Sequence, residues 1–211
     1  GPTRTAVGDL WLIGGKHRLL VGDCTDPANV VILMENDRAT CIFTDPPYGV
    51  SQSAKNRLLN EQAGGKGVRP SRNETDIADD DLSPDDLKAR LLPAFENYRT
   101  LAMAEDCSMM VCSPQGAELA MMMMMMKEAG LPPRHVLIWK KNCPTFSMGR
   151  LDYDYQHEPI LFTWTTRHKK NKGGTFKTSI WEVDKPRASA DHPTMKPVDL
   201  YVAAYENHSD P

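Results

Sequence analysis

No apolar run in this 211-residue chain is long enough to cross a bilayer, and nothing near its amino terminus has the pattern of a secretory leader. No membrane partner is therefore expected. Cysteine is scarce and unpatterned. Cys24, Cys41, Cys107, Cys112 and Cys143 lack metal-ligand spacing, and an odd number gives no disulfide framework. The expectation is no bound metal, reduced thiols and a cytoplasmic setting. A dominant charge sign is missing too: 25 Lys and Arg face 28 Asp and Glu, a formal net charge of -3. That excludes a uniformly basic chain but leaves room for basic residues gathered on one face. Finally, no glycine follows Gly174, which excludes a glycine-rich strand-to-helix turn in that stretch.

What is present fits one globular domain with a substantial core, with 40% hydrophobic and 25% charged residues. Gly1-Pro2 resembles a tag-cleavage scar, so residues 1–7 are set aside as scar and linker and the domain is taken as 8–211. Leu10–Ile13 and His17–Val21 flank Gly14-Gly15-Lys16 and predict a hairpin. Asp26-Pro27 predicts a helix start, the helix reaching about Glu35. A strand over 40–44 completes what reads as a β-α-β unit, the mark of an α/β sheet. Residues 49–80 read as a long mobile loop. Its Gly64-Gly65-Lys66-Gly67 has no preceding strand and is not read as a phosphate loop. Ser83-Pro84-Asp85-Asp86 predicts a helix start, with the helix running to about Ala104. Strands are expected over 107–112, 135–140 and 158–164, and a helix over 115–129. Six consecutive methionines, 121–126, ignore amphipathic periodicity and suggest a helix buried on both sides, or an altered sequence.

The chemistry concentrates at Asp45-Pro46-Pro47-Tyr48, directly after the strand-forming run Thr40-Cys41-Ile42-Phe43-Thr44. Open α/β sheets bind ligands outside the carboxyl ends of their strands. Two prolines fix φ and remove two backbone donors, leaving free carbonyls and one carboxylate that only accept hydrogen bonds. With an aromatic ring alongside, this suits a flat substrate carrying an exocyclic NH2, a nucleobase. Asp45 also has a plainer reading as a turn aspartate before proline.

This arrangement resembles motif IV of the S-adenosylmethionine-dependent DNA amino-methyltransferases, which act on adenine N6 or cytosine N4. His192-Pro193-Thr194-Met195-Lys196-Pro197 resembles their motif X, usually HPTxKP, with Met195 at the usual glutamine position. Leu137–Asn142 and Gln156–Ile160 are also family-like, and the resemblance covers roughly residues 8–211. Motif IV before motif X is the order of the circularly permuted β class. The resemblance implies a Rossmann-like α/β fold, S-adenosylmethionine as methyl donor, DNA as partner and a homodimer. It also implies a bacterial or phage-encoded cytoplasmic enzyme, of the type in which a ParB-like domain precedes the catalytic segment.

By the same resemblance, Asp45 and the Pro46 carbonyl accept from the target amine, Pro47 stiffens the loop and Tyr48 stacks on the base. Asp23 matches an acidic position near the cofactor's adenosine. His192, Thr194 and Lys196 lie by its methionine moiety, with Lys196 attracting the carboxylate, and Asp45 is a further candidate cofactor contact. Lys140, Lys141, Arg167, Lys169, Lys170 and Lys172 are candidate DNA contacts, the last four within a target-recognition segment over about 143–190. His157 and Glu158 are expected to be structural, as are Trp164 and Trp181. No thiol is required, because amine methylation needs no covalent base adduct. The leading aspartate leans towards adenine; N4-cytosine enzymes more often carry serine there. The family's motif I, FxGxG, should follow motif X and is absent, so the domain is expected to be incomplete before that turn. The competing expectation is a non-catalytic nucleic-acid-binding remnant. Methylation of a protein glutamine is disfavoured, since those enzymes carry asparagine before the PPY.

Overall fold

In a computed structural model of the chain, residues 4–49, 52–65, 81–145, 152–170, 173–186 and 195–209 are described. Strands β1 (Leu10–Ile13) and β2 (His17–Leu20) pair antiparallel, Leu10 opposite Leu20. Gly14 and Gly15 both take positive φ at the turn, a conformation that side chains resist. The hairpin forms its own two-stranded sheet. The expected β-α-β unit is therefore corrected: β2 and the next strand share no sheet. All four β1 residues are exposed, so the hairpin has little buried face to offer the main sheet. Helix α1 (Pro27–Met34) begins as its sequence predicts, with the Ala28 N–H donating to Asp26 Oδ1 at 2.9 Å and Pro27 in the first turn.

The main sheet has the order β3-β4-β6-β5-β7. Its strands are β3 (Ala39–Thr44), β4 (Met103–Cys112), β5 (His135–Lys140), β6 (His157–Trp164) and β7 (Ile180–Glu182). β3 runs parallel to β4, β6 runs antiparallel to both β4 and β5, and β7 is parallel to β5. Side chains alternate across a strand, which divides β4 between two cores. Met109 and Val111 face Leu87, Leu91 and Phe95 of helix α3 (Pro84–Asn97) and Met122, Met125 and Met126 of helix α4 (Ala117–Glu128). Met110 and Cys112 face Leu200, Ala203 and Ala204 of helix α5 (Val198–His208). The result is three layers, helices on both sides of the sheet.

Three expectations change. Within 49–80, residues Gln52–Gly65 form helix α2; the run from 52 to 63 has no proline or β-branched residue and is rich in good helix formers. Residues 66–80 lie outside the described part. The helix expected to reach Ala104 stops at Asn97 and continues as a π-helical turn, Tyr98–Ala102. The methionine run is buried on one face only: Met122, Met125 and Met126 are fully buried, whereas Met124 is 70% exposed. Their i, i+3, i+4 spacing supplies the periodicity that composition conceals.

Candidate active site

The β3 ladder ends where it must. Neither Pro46 nor Pro47 has an N–H to extend it, and a residue before proline, here Asp45, is driven to extended backbone. Gly49 then turns the chain with φ +67°. A Cβ there would lie 3.1 Å from Leu87 Cδ2 and 3.3 Å from the Leu82 carbonyl oxygen, so the turn excludes a side chain.

The topology brings further strand ends to this place. Because β3 and β4 are parallel and β6 antiparallel to β4, the carboxyl ends of β3 and β4 lie at the same end as the start of β6. β5 runs antiparallel to β6, so it finishes there too, with Lys140 opposite His157 and Trp139 opposite Glu158. Lys196, just before α5, reaches the same point.

Four charged groups meet in a row. Lys196 Nζ is 3.0 Å from Asp45 Oδ2 and 3.2 Å from Glu158 Oε2, and Lys141 Nζ is 2.5 Å from Glu158 Oε1. The lysine side chains are only 6% and 5% exposed; those of Asp45 and Glu158 are 25% and 22% exposed. The Tyr48 hydroxyl donates to Asp45 Oδ1 at 3.0 Å, and the Lys196 ammonium lies 5.3 Å from the centre of the Tyr48 ring. Phe43 packs against Tyr201 of α5 at 4.6 Å between ring centres, backing the loop.

The protonation states follow from these neighbours. Burial works against the Lys196 charge, but Glu158 and Asp45 outweigh it and hold the ammonium above the ordinary lysine range. Burial would raise Glu158, yet Lys196 and Lys141 bring it below the ordinary carboxyl value. For Lys141 burial wins over Glu158, and its pKa falls. Burial, then the charge of Asp45, pushes Tyr48 well up, so its hydroxyl stays a donor. Each carboxylate oxygen can accept more than one hydrogen bond. Asp45 thus keeps acceptor capacity for an incoming N–H.

The other expected site residues divide. Asp23 is not placed in contact with this cluster. It accepts from the Thr25 N–H and hydroxyl at 2.9 and 2.8 Å and pairs with Arg90 of α3 at 2.7 Å, and these bonds lower its pKa. His192, Thr194 and Lys172 lie outside the described residues. Lys196, expected to attract a cofactor carboxylate, already faces two carboxylates of its own chain. Lys141, expected at DNA, is 5% exposed and pairs with Glu158. Lys140 stays exposed at the site end of β5, paired with Glu182 at 3.0 Å.

Arg167, Lys169 and Lys170 sit at the opposite end of the sheet. The step from Ser108, opposite Trp164, to Cys112, opposite Ile160, spans about 13 Å. There Arg167 pairs with Glu105 at 2.8 Å and Lys169 with Asp106 at 3.4 Å. Lys170 helps to line an open cleft of about 610 Å³ with His135, Phe162, His168 and His208, remote from Asp45. Trp181 is buried, as its structural reading expects, and Trp164 stacks on His168 at 3.9 Å.

Glu158, expected to be structural, stands beside the Asp45 loop between Lys196 and Lys141, and its pairing with Lys141 is the part that local sequence does not announce. The available signal was a pair of opposite charges at the adjoining ends of two apolar strands.

The model of the family described as N6_N4_Mtase, DNA methylase, matches residues 39–210. The chain belongs to this DNA methylase family. The matched span contains every residue of the charged row. Among solved structures, the chain is similar to M1.HpyAVI in its SAM complex, at 18% identity over 90% of this chain and 74% of that one, with a TM-score of 0.51. A second crystal structure of M1.HpyAVI gives 17% identity over the same shares, with a TM-score of 0.54. At such identities the likeness establishes the α/β fold of the methylase. No curated protein sequence matches the chain. Among the described residues, no cluster of His, Cys, Asp or Glu could hold a metal, and no helix is long and apolar enough to cross a membrane.

Proposed function

We propose that this DNA methylase transfers a methyl group to the exocyclic amine of a base flipped out of DNA, with adenine N6 as the target. The observation that carries the reading is the Asp45 carboxylate, held at the end of β3 by Lys196 and Tyr48 with acceptor capacity to spare. An exocyclic amine is a poor nucleophile because its lone pair is delocalised into the ring. Asp45 and the Pro46 carbonyl accept from its two N–H groups, which localises that lone pair and stabilises the charge developing on nitrogen. Lys196 lies 5.3 Å from the centre of the Tyr48 ring, and that ring is the proposed stacking platform for the base. Such contacts require the base to leave the duplex. Positioning by this stiff loop supplies much of the rate.

S-adenosylmethionine, when bound, supplies the electrophilic methyl group on a sulfonium. The site suits that cation, since it presents the partly exposed Asp45 carboxylate, while its own charges alternate in sign. The likeness to the M1.HpyAVI–SAM complex supports the assignment of donor. Incubating the protein with labelled S-adenosylmethionine and DNA, then separating the nucleosides, tests the proposal. N6-methyladenine is the expected product. N4-methylcytosine would overturn the choice of base. DNA binding without any methyl transfer would leave a nucleic-acid-binding remnant.

DNA approaches over the strand ends that carry Asp45, so Lys140 is the proposed phosphate contact at that end. Lys140→Ala should reduce the slope of log affinity against log salt by about 0.9, the loss of one phosphate contact. Lys170→Ala, at the far end, should change it much less. Equal effects in salt-dependent binding measurements would contradict this docking direction.

A further inference from the structure

Asp45, Lys196, Glu158 and Lys141 alternate in sign and sum to zero, yet they come from four separate segments. They are the loop after β3, the residues before α5, the start of β6 and the end of β5. Glu158 is the only one that touches both lysines. We propose that Glu158 is a positioning residue for amine activation: held between Lys141 and Lys196, it fixes the Lys196 ammonium against Asp45 Oδ2 and so aims the carboxylate at the incoming base. This rests on the reading of Asp45 as the acceptor for the target amine.

Three observations carry it. First, Glu158 Oε2 is buried and makes no aligned hydrogen bond; the Lys196 ammonium at 3.2 Å is its ion-pair partner. Both of its oxygens face an ammonium group, and a neutral amide of the same shape would take one negative charge from between them. Second, Glu158 stands on a rigid platform. It is laddered opposite Trp139, which is 2% exposed and whose indole N–H donates to the Val183 carbonyl at 2.8 Å. Side chains fixed on strands hold a reacting group more closely than loop residues do. Third, Lys141 completes the balance. Its ammonium reaches Glu158 at 2.5 Å and lies 5.0 Å from the centre of the Trp139 ring. Without Lys141, Glu158 would have Lys196 alone and would draw it away from Asp45. Burial opposes the charge on Lys196, and the two carboxylates restore it, which is the behaviour such a relay needs.

The test compares the unmodified protein with Glu158→Gln and with Glu158→Gln/Lys141→Met, which removes one charge of each sign and restores balance. Single-turnover methyl transfer should fall roughly 10- to 100-fold in Glu158→Gln, the size expected when a reacting group is misplaced by about 1 Å. KM for DNA should stay within about twofold. The double variant should recover thermal stability and remain slow. NMR titration of the Lys196 ammonium should show its midpoint lowered in Glu158→Gln, where one of its two carboxylate partners is neutral. A Glu158→Gln rate within about twofold of the unmodified protein would overturn the proposal. So would full recovery of rate in the double variant, because Glu158 would then serve folding alone. An unchanged Lys196 titration would also overturn it, whether or not Glu158→Gln is active. If the unmodified protein transfers no methyl group to DNA, the proposed function itself fails, and the Lys196 titration alone decides whether the relay exists.

Discussion

Asp45→Asn is expected to lower methyl transfer about 100- to 1000-fold, the range seen when one preorganised polar partner of a developing charge is removed. The substitution keeps the shape of the side chain and one acceptor oxygen. It removes the negative charge facing the amine as nitrogen becomes positive in the transition state. DNA affinity should remain within about threefold, because phosphates dominate that affinity and Asp45 contacts none. The variant leaves Lys196 with Glu158 as its carboxylate partner, so thermal melts must accompany the kinetics. Wild-type transfer rates in a folded Asp45→Asn protein would remove Asp45 from the mechanism. Loss of DNA binding in parallel with activity would recast it as a binding residue.

Lys196→Met is expected to destabilise the protein by about 3 kcal/mol at neutral pH. Deleting one member of a buried ion pair costs about 3–5 kcal/mol, since the partner charge is stranded. The lower end applies here because Asp45 and Glu158 retain some solvent contact, at 25% and 22% exposure. The pH dependence has a definite sign. Glu158 has a lowered pKa in the fold, so its stabilising contribution is present above the unfolded value of 4.5 and is lost as pH falls through the folded one. Lys196 has a raised pKa, so its contribution is complete below 10.5 and fades only at more alkaline pH. Lys141, lowered by burial, acts in the opposite direction near 10.5. The stability gap between the unmodified protein and Lys196→Met should therefore narrow as pH falls from about 4.5 through the lowered pKa of folded Glu158, where that carboxylate takes up a proton. Chemical denaturation across pH 3 to 8 measures it. A gap that stays constant with pH would mean that Lys196 stabilises through packing of its stem alone.

Much of the scaffold was legible from local patterns. The capping residues Asp26 and Ser83 marked two helix starts correctly, because a cap is a contact over two or three residues. The apolar run into Asp45-Pro46 marked both the end of β3 and the face where chemistry could occur. Other features depend on long-range information. The hairpin β1–β2 was read into the main sheet, yet pairing between strands is set by burial partners that local sequence does not name. The Met121–Met126 run looked periodless because all six residues have one side chain; only packing against α3 and β4 distinguishes Met122 from Met124. The place of the basic run after β6 is set by strand direction, which carries it to the end of the sheet away from Asp45, where Glu105 and Asp106 pair with two of its charges.

By itself the sequence determined the Asp45–Tyr48 loop, the strand that leads into it and the resemblance to amino-methyltransferases, since each is written in contiguous residues. Tertiary structure alone decided which charges surround Asp45. Lys196 lies 151 positions from it, and Glu158 and Lys141 sit at the ends of neighbouring antiparallel strands. The reason is physical: a buried charge is stable only beside its opposite, and the register of β5 on β6, with α5 closing over β3, puts those opposites within 3.2 Å of one another.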